Sequence, residues 1–119
     1  MSLIESLKNL GVNADEGLER VMGDTSLYEM MLGMFVDAVR DNPVSLEDFS
    51  GANLDDLIKR IHTLKGVTGN LALTPLFTGY NESLILLRAG QADKAKAEFE
   101  KILPIQAEIV NCIKSSQGA

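Results

Sequence analysis

Apolar residues recur along this chain at intervals of three and four rather than two, a periodicity that predicts helices throughout and no strands. Ser2-Leu3-Ile4-Glu5 has the capping-box form and opens a short helix that Gly11 ends. Asn13, with Glu16 at the reciprocal position, caps a second short helix whose apolar stripe is Leu18, Val21 and Met22, broken at Gly23-Asp24. The first long helix should begin between Asp24 and Ser26. There Ser26-Leu27-Tyr28-Glu29 repeats the capping-box pattern, and Tyr28, Met31, Phe35 and Ala38 fall on one face. Pro43 lacks a backbone N–H and clashes one turn back, so this helix either stops near Arg40 or bends and continues through Leu46 to Phe49.

After a break at Ser50-Gly51-Ala52, Asn53 caps a second long helix whose first turn carries Asp55 and Asp56, favourable at the positive end of the helix dipole. Leu54, Leu57, Ile61, Leu64 and Leu71, with Thr68 filling the missing step, make its buried seam. At about 100° per residue, His62 points about 130° away from the middle of that seam and is predicted to be exposed. Asp55, Lys59 and Gly66 share its side, Lys65 and Gly69 flank it, and the helix should end around Asn70 to Leu73. Thr74-Pro75, a threonine cap with proline at the first helical position, starts the next helix, which runs to Arg88-Ala89 before Gly90 with Leu76, Tyr80, Leu84 and Leu87 inward. The last helix spans about Gln91 or Ala92 to Lys114, with Ala95, Phe99, Ile102, Ile109 and Ile113 as its stripe, a kink at Pro104 and a frayed tail from Ser115. Short connections between the four long helices favour antiparallel neighbours. The expected fold is all-α, an up-down-up-down antiparallel four-helix bundle with the short N-terminal helices covering one end.

The 119 residues, 45% of them hydrophobic, suffice for one core and not two, so a single domain is expected over 1–119. A net charge of -6 argues against a nucleic-acid surface, which needs clustered lysine and arginine without interspersed carboxylates. The sequence has neither an apolar run of about 18 residues nor a charged start followed by an apolar stretch and a cleavage site, so a cytoplasmic protein with no membrane contact is expected. Cys112 is alone, allows no internal disulfide and reads as an ordinary helix residue. A monomer is expected, because four long helices can close their seams on one another.

His62 is the sole histidine, and it opens His62-Thr63-Leu64-Lys65-Gly66. An imidazole, with a reference pKa near ~6.5, is largely an uncharged nucleophile at neutral pH. Lys65, about one turn on, can pair with an anion on the histidine. Gly66 stacks over His62 although a mid-helix glycine costs roughly 0.5–1 kcal/mol relative to alanine, so something must gain from the missing side chain. Lys59, Arg60 and Lys65 surround the histidine without a carboxylate between residues 59 and 66, a local positive patch in an acidic chain that would orient a carboxylate-rich partner. Of these, Lys59 and Gly69 are candidate partner contacts, and Arg60 lies on the opposite flank. On its own, one exposed histidine is more often an ordinary surface residue than a reactive one. A metal site lacks a second histidine or cysteine partner, no serine elbow presents a nucleophile for His62 to activate, and no glycine-rich loop has phosphate-cradling spacing.

These residues resemble the histidine-containing phosphotransfer (HPt) domains of two-component phosphorelays. Ile61-His62-Thr63-Leu64-Lys65-Gly66-Val67 carries the family's His-x-x-Lys-Gly core, and Gly69-Asn70-Leu71 continues the pattern. The resemblance extends to Gly17-Leu18-Glu19-Arg20, Gly23-Asp24, Leu27-Tyr28, Phe35, Thr74-Pro75-Leu76 and Leu87-Arg88-Ala89-Gly90, so that it covers the chain from about Gly11 to the end of the last helix. It implies a helical bundle in which His62 takes a phosphoryl group from a receiver aspartyl phosphate and passes it to another receiver aspartate. Lys65 then supplies charge and Gly66 clearance for the partner. The partners implied are response-regulator receiver domains or a hybrid histidine kinase. The protein would be a phosphocarrier and not an enzyme, with no bound cofactor and the Mg2+ supplied by the receiver. Two departures stand out: the family often has glycine where this chain has Ala72, and an apolar residue where it has Gly79, with Ser83 nearby on the same inner surface. The phosphorylated domain of chemotaxis-type kinases uses a similar motif but carries a second histidine in the next helix, absent here. A module that binds receivers without accepting phosphate is the alternative from another class.

Overall fold

The computed structural model describes residues 2–117, and those residues form six α-helices and no strand. α1 (Leu3–Asn9) starts where the Ser2 hydroxyl accepts the Glu5 N–H at 3.1 Å. α2 (Ala14–Arg20) starts at Asn13, which accepts the Glu16 N–H at 3.3 Å while its own amide donates to the Glu16 carboxylate at 3.0 Å. α3 (Thr25–Asp41) is capped by Asp24, which accepts the Leu27 N–H at 3.0 Å, so Ser26 falls inside the first turn instead of capping it. The Pro43 alternatives resolve in favour of a stop. α3 ends at Asp41, and a separate 3-10 helix, Leu46–Ser50, buries Phe49 against Phe99 with ring centroids 5.4 Å apart.

α4 (Leu54–Asn70) is capped by Asn53, which accepts the Asp56 N–H at 3.2 Å. α5 (Thr74–Arg88) begins one residue earlier than expected. Leu73 occupies the cap position, Thr74 is the first helical residue and its hydroxyl donates to the Ala72 carbonyl at 3.3 Å. The cause is the preceding turn, in which the Leu73 and Ala72 N–H groups close back on the Thr68 and Gly69 carbonyls at 3.0 and 3.3 Å and deliver the chain directly into α5. That Schellman closure puts Ala72 in the left-handed region at φ 57°, the position where glycine is usual. α6 (Ala92–Gln117) passes through Pro104 and continues past Lys114, so Ser115 to Gln117 are helical where fraying was expected, and Gly118 and Ala119 lie outside the described residues.

Apart from half-buried Leu54, the anticipated inward positions of α4, α5 and α6 are buried, and Leu32 joins Tyr28 and Phe35 in the buried face of α3, where Met31 and Ala38 are half-buried. Met22 departs from the expected α2 stripe. It follows the helix at φ 57°, in a second Schellman closure from Gly23 to Leu18 at 2.8 Å, and is 95% exposed. α3 packs on α4 and α6, α4 on α5, and α5 on α6, while α1 touches α2 and α6 and α2 touches α3. One contiguous apolar cluster runs from Leu3 to Ile113. It leaves the His62 face of α4 outside.

Candidate functional site

α4 buries Leu57, Ile61, Leu64 and Thr68, and the Thr68 hydroxyl is satisfied within the helix by donation to the Leu64 carbonyl at 2.8 Å. With that face fixed, His62 is exposed on the far side, together with Lys59 and Gly66. A side chain built on Gly66 would meet nothing within 4 Å. Lys65 is half-buried toward α5, its ammonium 5.9 Å from the centre of the Phe77 ring. The structure therefore brings His62, Lys65, Gly66 and Lys59 onto one surface.

Arg60 and Gly69 are occupied elsewhere. The Arg60 guanidinium bonds Asp56 at 2.9 Å and Asp48 at 3.3 Å and also donates to the Pro43 carbonyl, tying α4 to the 3-10 helix. The Ser45 backbone N–H, and after it Arg60, hold the Asp48 carboxyl below its ordinary range. Gly69 packs under Phe77, whose ring carbons would stand 3.0 and 3.1 Å from a β-carbon placed there, and its carbonyl accepts a hydrogen bond from Arg20.

The C-terminal end of α4 is held by the N-terminal helices. Tyr28 donates to the Leu71 carbonyl at 2.8 Å, Arg20 donates to Gly69, and the Asn13 N–H bonds the Ala72 carbonyl at 3.2 Å. Burial pushes the Tyr28 phenol up to about 12 against the opposing pull of the Arg20 cation. Gly17 makes this possible, since a β-carbon there would stand 2.5 Å from the tyrosine ring.

Two features were not anticipated from sequence. Phe77 is one. The other is an apolar groove of 450 Å³ between α3 and α4, lined by Met31, Met34 and Ala38 on one side and Val67 and Leu71 on the other, with Asp37 and Asp41 at its rim. Leu27, Met30, Met31 and Met34 recur at helical spacing along α3, a signal available in the sequence, and Met30 and Met34 are each 60% exposed.

Among the described residues, no group of three histidine, cysteine or carboxylate side chains converges as a metal site, and no helix is long and apolar enough to cross a membrane. We find no match to the chain among protein-family models, curated proteins or solved structures.

Proposed function

We propose that this protein is a histidine phosphocarrier, accepting a phosphoryl group on His62 from a receiver-domain aspartyl phosphate and passing it to another receiver aspartate. The neutral imidazole attacks phosphorus in line, a P–N bond forms as the P–O bond to the aspartate breaks, and the aspartate departs as carboxylate. The return step reverses this on a second receiver. Lys65 offsets charge on the equatorial oxygens, Lys59 adds positive potential at the same surface, and Mg2+ is held by the receiver's carboxylates. His62 is a group-transfer intermediate between partners, so the chain needs no substrate pocket of its own.

The observation that carries this reading is Gly66. It sits in the interior of α4, about one turn from His62, with open space where a side chain would be. No packing demand in the fold requires glycine there, and the helix is weaker for it by roughly 0.5–1 kcal/mol. A partner that must bring an aspartyl phosphate against His62 does require that space. The pairwise contacts of α3, α4, α5 and α6 fit an up-down-up-down antiparallel bundle with α1 and α2 at one end, a rigid support for an exposed histidine. The methionine-lined groove lies on the α3 side of α4 and offers a receiver apolar contact beside the basic surface. We read the protein as a cytoplasmic monomer.

The test is phosphoryl transfer from a panel of labelled receiver domains to the wild-type chain and to His62→Gln. Acid-labile, alkali-stable label on the wild type alone supports the reading. Receivers that bind through the groove without transferring label to the wild type would favour a sequestering module instead.

A further inference from the structure

We propose that Phe77 is a positioning residue for Lys65, holding its ammonium at the α4–α5 edge on the flank of His62. The inference rests on the phosphocarrier reading and adds a residue outside the His-x-x-Lys-Gly motif. Three observations meet at one place. The Lys65 ammonium lies 5.9 Å from the Phe77 ring centre, at the outer limit for attraction between a cation and an aromatic face. Lys65 is half-buried, while Lys59 and His62 on the same helix are exposed. Phe77 lies close against α4 at Gly69, where a β-carbon would meet its ring at 3.0 Å and press it outward by a few tenths of an ångström.

Gly69, Phe77 and Lys65 thus form a stack in which α5 supplies the floor for a side chain of α4. A free lysine ranges over many rotamers, and drawing it onto a phosphoryl group costs that freedom at the moment of transfer. Helical side chains lean toward the helix N-terminus, which for Lys65 is the direction of the turn that carries His62. The ring restricts the ammonium to that flank before any phosphate arrives. The contact is weak enough to yield to a dianion, which pairs with the ammonium more strongly than a ring face does.

The experiment uses phosphoramidate, a small donor that needs no docking surface. The imidazole nitrogen bonds phosphorus, the donor's P–N bond breaks and ammonia leaves. Labelling of His62 is timed for the wild type, Phe77→Leu and Phe77→Trp, each with Lys65 and with Lys65→Ala, alongside the proton shifts of the Lys65 methylene next to nitrogen. The expected results are labelling slowed about two- to fivefold in Phe77→Leu and restored in Phe77→Trp, with no effect of either in Lys65→Ala. The Lys65 methylene should be ring-current shifted in the wild type and Phe77→Trp and unshifted in Phe77→Leu. Phe77→Leu labelling that is unchanged, faster or equally slowed without Lys65, or a methylene shift indifferent to Phe77, overturns the inference while leaving the phosphocarrier reading intact. Absence of label on the wild type from phosphoramidate and receivers alike sinks that reading and this inference with it.

Discussion

The phenolic hydroxyl of Tyr28 donates a buried hydrogen bond of 2.8 Å to the carbonyl oxygen of Leu71, joining α3 to the residue that ends the His62 helix. Tyr28→Phe leaves that carbonyl without its partner and should cost about 1–3 kcal/mol in denaturant unfolding. Burial of the phenol also sets a pH dependence. The unfolded phenol ionises near ~10, whereas burial keeps the folded one protonated up to about 12. The folded state therefore binds the extra proton across that interval. Its stabilisation is complete below about pH 10 and is lost as pH rises toward 12. Wild-type stability should fall through this window, and the fall should be shallower in Tyr28→Phe.

Gly66 separates what the fold wants from what transfer wants. Because nothing lies within 4 Å of a β-carbon there, Gly66→Ala should raise stability by about 0.5–1 kcal/mol while slowing transfer from a receiver. Thermal unfolding and transfer kinetics on the same sample check both halves. A variant that is more stable and equally fast would remove the clearance argument.

Met22 and Ala72 both sit at φ 57° in Schellman closures, yet glycine should act differently at the two. Met22 is 95% exposed and has little packing to lose, so Met22→Gly should stabilise by about 0.5–1 kcal/mol through relief of the left-handed backbone. Ala72 is 5% exposed, and loss of its buried methyl, worth about 0.8 kcal/mol, should leave Ala72→Gly near neutral. Paired urea titrations measure the difference.

On the inner face of α5, the Ser83 hydroxyl is buried with no hydrogen-bond partner, while Gly79 lies under Ile102, which a β-carbon would meet at 2.4 Å. Ser83→Ala should stabilise the protein by about 1 kcal/mol, and Gly79→Ala should destabilise it by about 1–3 kcal/mol despite better helix propensity. Calorimetry of the two variants should show melting temperatures moving in opposite directions.

These contrasts show what a periodic sequence can reveal. The seam of α4 repeats regularly enough that helical geometry alone placed His62, Lys59 and Gly66 on the exposed side, and the structure agrees. Caps were harder to place, because Asp24 and Ser26 offer competing side chains two residues apart, and because the closure after α4 leaves Leu73 in the position that Thr74-Pro75 would claim. The commitment of Arg60 depends on Asp48, whose location follows from how the chain turns at Pro43, a choice local spacing left open. Phe77 was illegible for a similar reason. Its role arises only when α5 lies against Gly69 and beneath Lys65, and neither contact leaves a pattern along the chain.

The most direct measurement is the phosphorus-31 spectrum of the wild-type chain after incubation with a phosphorylated receiver and removal of that receiver, set beside the same spectrum for His62→Gln. A phosphoramidate resonance in the wild type that disappears on acidification, survives alkali and is missing from His62→Gln is the predicted result. A wild-type chain that binds phosphorylated receivers yet shows no such resonance would contradict the assignment of His62 as the carrier.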